Sequence, residues 1–282
     1  MGTLYVVATP IGNLDDFSKR GIDTLASSDI ILAEDTRQTL KLLNHFNIKT
    51  KMISYHKFNE MKRVSEIIDY LMQGKNIALV SDAGTPCISD PGYILVKEAK
   101  KNKIEVLTIP GCNAVISALS VSGLDTSSFT FYGFVPTDNK ERKKLFDEIK
   151  YSKVKTKVLY ESPKRIVKLL EDLKQEFPNS LVSVCHELTK IHEKTIYGSI
   201  DEVYESVVND SSLSRGEYVL LISNDAMEKK QSKSSIESLL IDEMIKNDFT
   251  LKEAIASVNK KHDDLSKKDI YNASLNLKNI LK

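Results

Sequence analysis

Short runs of β-branched and aliphatic residues recur along the first half of the chain at 3–9, 30–33, 51–54, 76–80 and 105–109, and they predict five strands. Polar stretches of helical period separate them. Over 60–72, for example, Val64, Ile67, Ile68 and Leu71 fall on one face of a single helix. Strands that alternate with amphipathic helices are the pattern of a doubly wound parallel sheet, expected here over residues 1–123.

From Ser127 the rhythm tightens. Aromatic and β-branched runs at 129–134, 157–160, 181–186, 194–197 and 218–222 lie closer together and are only partly separated by helices. They predict a second, mixed α/β domain over 124–223, joined to the first through the turn-rich 123–128. The stretch 224–235 is polar and lysine-bearing. Beyond it, 236–245, 251–258 and 267–281 read as three short helices, a small appendage over 236–282 that suits a helix-turn-helix or any three-helix cap.

Composition adds bounds to this picture. With 282 residues, 41% of them hydrophobic, there is enough apolar material for two cores. Forty Lys and Arg against 39 Asp and Glu leave a net charge of +1, so any nucleic-acid contact must be a local patch. Such a patch is suggested at 140–168, where eleven basic residues face four acidic ones, although a solvated helix face would look the same. Cys87, Cys112 and Cys185 are odd in number and widely spaced, which points to free thiols in a reducing compartment. The start runs into an apolar strand without a basic leader, and no apolar stretch approaches bilayer length. A soluble, cytoplasmic protein without a membrane partner is expected.

In an open parallel sheet the ligand lies beyond the carboxyl ends of the strands. The loops there are Pro10-Ile11-Gly12-Asn13, Glu34-Asp35-Thr36-Arg37, Tyr55-His56-Lys57, Ser81-Asp82-Ala83-Gly84-Thr85-Pro86 and Pro110-Gly111-Cys112-Asn113. Glycine admits close backbone approach, proline sets the turn, and Asp or Asn supplies directional hydrogen bonds. Each loop alone reads as an ordinary turn; five converging on one edge read as a site. No G-x-G and no G-x-x-x-x-G-K-[ST] occurs, which disfavours nicotinamide and nucleoside-triphosphate chemistry. His186-Glu187 and His192-Glu193 are spaced wrongly for a helical zinc pair, so no metal is expected. A serine-nucleophile elbow is likewise missing. The second domain offers its own polar groups at Tyr160-Glu161-Ser162-Pro163-Lys164-Arg165, Glu187-Leu188-Thr189-Lys190 and Arg215-Gly216-Glu217.

Taken in order and spacing, the Thr9 to Asn13, Glu34 to Arg37, Ser81 to Pro86, Asp90-Pro91-Gly92, Tyr160 to Pro163 and Glu187 to Lys190 motifs resemble those of the ribosomal RNA small subunit methyltransferase I family, the 16S rRNA cytidine 2′-O-methyltransferases of the tetrapyrrole methylase superfamily. The resemblance covers essentially the whole chain. It implies two α/β domains with S-adenosylmethionine (AdoMet) folded between them, no metal, and a homodimer acting on 16S rRNA in the small ribosomal subunit at the decoding centre. It places Pro10, Asp82, Ala83, Gly84, Thr85, Gly111, Cys112 and Asn113 around the cofactor, with Tyr160 and Leu188 from the second domain. Three positions depart from the family pattern: Cys112 for a proline, Lys164 for a histidine and Arg215 for a lysine.

A ribose hydroxyl must lose its proton to attack, and Glu34, Asp35, His56, Glu161, Glu187 and a Lys190 of lowered pKa are the candidate bases, Glu161 and Lys190 ahead of the others. Arg37, Lys57, Arg165 and the helical tail are the expected RNA contacts. Two rival readings remain at this stage. One is a relative of the same superfamily acting on a tetrapyrrole or a protein side chain; the other is a small-subunit assembly factor without catalysis.

Overall fold

The structure is a computed structural model that describes residues 1–210, 212, 216–224, 235–262 and 265–280. Arg215 and most of the polar stretch 224–235 lie outside the described residues. Two compact units are present, 1–226 and 227–282.

In the first unit, β1 (Thr3–Val7), β2 (Ile30–Ala33), β3 (Met52–Ser54), β4 (Ile77–Val80) and β5 (Glu105–Ile109) alternate with α1 (Lys19–Ser27), α2 (Thr36–His45), α3 (Glu60–Met72), α4 (Tyr93–Lys101) and α5 (Ala114–Val121). The strands form one parallel sheet in the order β3-β2-β4-β1-β5. Both faces are covered, which explains why its central strands are apolar without alternation. Leu4, Leu32, Ile77 and Leu79 pack on one side with Ile67 and Leu71 of α3 and Leu95 of α4. Val7, Ile31, Ala33, Ala78 and Val80 pack on the other with Leu25 of α1 and Leu43 of α2. From the neighbours β1 and β4 the chain departs in opposite directions, to β2 and to β5. That is a switch point, where the diverging connections leave a crevice above the strand ends.

The second sheet holds β6 (Phe129–Phe134), β7 (Thr156–Glu161), β8 (Leu181–His186), β9 (Lys194–Ser199) and β10 (Tyr218–Ser223) in the order β6-β7-β10-β8-β9. Only β6 and β7 run parallel; the other pairs are antiparallel. Helices α6 (Asn139–Tyr151), α7 (Ile166–Glu176) and α8 (Ile200–Asn209) cover one face around Leu159, Leu170, Val184, Val203 and Leu220. The opposite face receives α5, whose Val115, Ala118 and Leu119 pack on Val158, Cys185, Val219 and Leu221. An almost wholly apolar helix is required there, because α5 follows a strand of one sheet and buries against the other.

In the second unit α9 (Ile236–Asn247), α10 (Leu251–Lys261) and α11 (Lys267–Ile280) enclose Leu240, Ala254, Val258, Ile270 and Leu277. Thr250 and Glu253 form a capping box that starts α10. Among the described residues no helix is long and apolar enough to cross a membrane.

Part of the basic excess at 140–168 is spent within the fold. Lys157 is wholly buried and donates to the Asn224 Oδ1 at 2.9 Å. Arg142 pairs with Asp172, Lys144 with Glu141, Lys150 with Glu176, Lys168 with Glu171 and Asp172, and Arg165 with Glu161. Asp172 and Glu176 of α7 lie far along the chain from Arg142 and Lys150, whereas Glu141, Glu161 and Glu171 are partners only three or four residues away.

Candidate active site

Loops at the ends of β1, β4 and β5 are tied into one wall. The Thr9 amide donates to the Gly84 carbonyl at 2.8 Å and the Gly84 amide returns the bond at 3.0 Å. The Thr9 hydroxyl reaches the Ser81 carbonyl at 3.2 Å, and the Thr85 hydroxyl reaches the Cys112 carbonyl at 3.0 Å. In front of this wall lies a cavity of about 450 Å³, within the range of small-molecule sites. Its first side carries Ile11, Glu34, Asp82 to Thr85, Asp90 and Asn113; its second carries Phe134, Tyr160, Glu161, Leu188 and Val219 from the strand ends of the other sheet.

The first side is acidic. Burial, together with the charges of Asp90 and Asp82, raises the Glu34 carboxyl to about 6, although the Asp82 amide works against the rise. Asp90 is also raised to about 6, chiefly by burial, with its hydrogen-bond partner Ser81 opposing and Asp82 reinforcing. Partly desolvated carboxylates that repel one another hold their protons longer than isolated ones. Across the cavity, Glu161 is buried, accepts the Ser162 amide at 2.7 Å and pairs with Arg165 at 2.7 Å, all through Oε1; its Oε2 has no hydrogen-bond partner. Burial pushes the Tyr160 phenol up to about 12.

Of the residues expected around a cofactor, Asp82, Ala83, Gly84, Thr85, Asn113, Tyr160 and Leu188 line the cavity. Pro10, Gly111 and Cys112 stand behind it and shape the wall: a Cβ on Gly111 would meet that of Ala8 at 3.1 Å, and the Cys112 carbonyl is the one that Thr85 grips. The Gly84 amide is already engaged by Thr9, and Asn113 Oδ1 caps α5 by accepting the Ile116 amide. Asp82 Oδ1 accepts the Asp35 amide at 2.9 Å.

The expected bases separate sharply. Lys190 does not have a lowered pKa: burial acts in that direction, but contacts to Glu187 at 2.8 Å and Glu217 at 2.9 Å outweigh it and raise the ammonium above its ordinary range. Glu187 is held below the usual carboxylate range, because Lys190 outweighs the effect of burial. Asp35 is lowered to about 2 by hydrogen bonds from Arg37 and serves as the N-cap of α2. His56 lies outside the cavity, in a turn with Asn59 after β3. Glu34 and Glu161 remain in the cavity, joined by Asp90, a residue visible in its motif but given no role from sequence. Among the expected RNA contacts, Arg37 and Lys57 are exposed, whereas Arg165 forms part of the cleft wall through Glu161. The two His-Glu pairs diverge: His186 is buried against the Tyr218 ring at 4.7 Å, and His192 is exposed in the β8–β9 turn.

A crevice at the switch point of a parallel sheet, closed by the strand ends of a mixed sheet, is the arrangement of a two-domain α/β methylase. The family model for Tetrapyrrole (Corrin/Porphyrin) Methylases matches residues 3–204. The crystal structure of uroporphyrin-III C-methyltransferase from Thermus thermophilus, complexed with S-adenyl homocysteine, has the same fold, with a TM-score of 0.54 at 16% identity over 79% of this chain and 98% of that one. Two curated relatives called "Ribosomal RNA small subunit methyltransferase I" are far nearer in sequence. The one from Halalkalibacterium halodurans is 45% identical over 96% of this chain and 94% of its own length, and the one from Vibrio cholerae 44% over 95% and 92%. The chain therefore belongs to the tetrapyrrole methylase family and, within it, to the ribosomal RNA small subunit methyltransferase I group; it is a methyltransferase.

Proposed function

We propose that this protein transfers the methyl group of AdoMet to the ribose 2′-hydroxyl of a cytidine in 16S rRNA, at the decoding centre of the small subunit, and that it works in the cytoplasm as a homodimer. The observation that carries the reading is the cleft, found in a chain collinear with relatives named for small-subunit rRNA methylation. The cleft's chemistry fits AdoMet. Glu34, Asp82 and Asp90 present an anionic wall to a ligand bearing a sulfonium and an ammonium, and a cleft lined by one sign of charge concentrates the opposite sign. Ile11, Leu188 and Val219 supply apolar surface, and the unpartnered Glu161 Oε2 offers a buried acceptor.

When bound, AdoMet supplies an electrophilic methyl group on a sulfonium, displaced in line by the nucleophile. Asp82, anchored by the Asp35 amide, is placed to accept from the cofactor's polar groups. Positioning the two reactants is worth much of the rate. One of the two carboxylates Glu34 and Asp90 takes the hydroxyl proton, since groups poised near 6 are ionised at neutral pH yet basic enough to receive it, and the other stays ionised beside it. Lys190 stays protonated and holds the Glu187 loop against Glu217. The exposed Arg37 and Lys57 and the helical tail meet the RNA backbone.

The test uses labelled AdoMet and small subunits from a strain lacking this gene, with ribose methylation mapped across the 16S RNA. The expected result is one new 2′-O-methyl cytidine, lost together with AdoMet binding in Asp82→Ala. Binding of AdoMet without label in RNA would redirect the search to tetrapyrrole or protein substrates. No AdoMet binding at all would favour an assembly factor.

A further inference from the structure

Phe134 sits on the cavity wall, and the backbone has been bent to put it there. Along β6, Phe131 pairs with Val158 and Phe134 with Tyr160, so three steps on β6 match two on β7. The extra residue is a bulge centred on Gly133, whose φ of +71° side chains rarely adopt. In a regular strand, residues three apart point to opposite faces. The bulge brings Phe131 and Phe134 to the same face, where both meet Tyr160 edge-on, with ring centroids at 4.9 Å and 5.3 Å and planes at 67° and 62°. Phe131 is partly buried against the α5 interface, whereas Phe134 keeps 60% of its surface exposed at the cavity mouth, close to the half-exposed Ile88.

We propose that Phe134 is a stacking platform for an unpaired nucleobase of the RNA substrate, most directly the base of the acceptor nucleotide turned out of its stack. The inference rests on the rRNA reading above and adds the residue that holds the base. Proteins that act on single nucleotides receive them on aromatic faces, because each base has a π-face and stacking tolerates any sequence. Tyr160 supports the platform from beneath: its contact with Phe134 is edge-on and leaves a Phe134 face accessible to a planar ligand. Orientation is the second consequence. Glu34 and Asp90 line the same cavity as Phe134, so a base held there leaves its ribose to be received on their side.

The experiment compares wild type, Phe134→Leu and Phe134→Tyr, measuring KM and kcat on unmethylated small subunits and, separately, AdoMet affinity by calorimetry. Leucine keeps apolar volume and removes the π-face; tyrosine restores it. Phe134→Leu is expected to raise KM for subunits roughly 5- to 100-fold, with Phe134→Tyr within about threefold of wild type. AdoMet affinity should be unchanged in both. A leucine variant with wild-type KM overturns the inference, as does one whose AdoMet affinity falls in step, since Phe134 would then be a cofactor wall. If wild type itself leaves subunit RNA unmethylated, the functional reading fails and this inference falls with it. Methylation by wild type with no difference in Phe134→Leu removes the platform alone.

Discussion

Three carboxylates on one wall of the cleft divide into different roles through their surroundings. Asp82 is committed to the Asp35 amide, whereas Glu34 is raised to about 6 by burial and by the charges of Asp90 and Asp82, and Asp90 to about 6 chiefly by burial with Asp82 reinforcing. A carboxyl raised to that value is protonated below it and ionised above it. With Glu34 and Asp90 as proton acceptors, kcat/KM for methyl transfer is expected to climb as pH rises through about 6 and then level off. Glu34→Gln and Asp90→Asn should each lower kcat by about 10²- to 10⁴-fold, the range of general-base catalysis, and, because each also removes a charge from the anionic wall, weaken AdoMet binding as well; kcat is therefore read at saturating AdoMet. A profile flat from pH 5 to 8 in wild type would assign the base elsewhere, with Glu161 the next carboxylate in the cavity. The sequence names Glu34 and Glu161 as carboxylates beside the site and puts Glu161 ahead, whereas it is Glu34 that burial raises to about 6. Their protonation depends on neighbours supplied by other strands, and for Lys190 those neighbours reverse the expected direction.

At the scale of elements, the strands and helices were legible because their signal is local. The runs at 30–33, 105–109, 129–134 and 181–186 coincide with β2, β5, β6 and β8, and the periodic stretch 60–72 coincides with α3. Terminal residues differ where pairing extends a strand beyond its apolar run, as in β7, which reaches from Thr156 to Glu161. What periodicity could not convey is that α5 serves both sheets. Its N-terminus brings Asn113 and Ala114 to the cavity while its buried face holds Val158 and Leu221. Ala118, fully buried in that face, leaves no room for a larger side chain. Ala118→Leu is expected to cost about 1–3 kcal/mol by overpacking, measured by urea denaturation, and to weaken AdoMet binding because α5 must shift. Unchanged cofactor affinity in a destabilised variant would separate the helix from the cleft. The Gly133 bulge is the other feature missed. A glycine inside a strand run is its only sequence signal, and the same signal suits a simple weak point.

For the whole molecule, the division into a two-sheet unit and a helical unit carries its own consequence. The unit 227–282 has a separate core around Leu240, Val258 and Ile270. A chain ending at residue 226 is expected to keep a cooperative unfolding transition and AdoMet affinity but to lose affinity for small subunits, most visibly at low salt, where phosphate contacts are strongest, and to show a shallower salt dependence. Equal subunit affinity with and without the tail, measured across a salt series, would remove it from the RNA interface. Net charge near neutrality left such contacts to local surfaces, and composition does not tell which cations of 140–168 stay available: Lys157 is buried on Asn224, and Arg142 and Lys150 meet acids of α7. The sequence by itself determined the strands, the helices, the loops that gather at the strand ends and, through their motifs, the family, because periodicity, turn chemistry and motif spacing are properties of neighbours in the chain. Only the tertiary structure decided which carboxylates keep their protons, which lysines are spent and which aromatic ring faces the cleft, because burial and charge pairing are set by residues that meet across many turns of sequence.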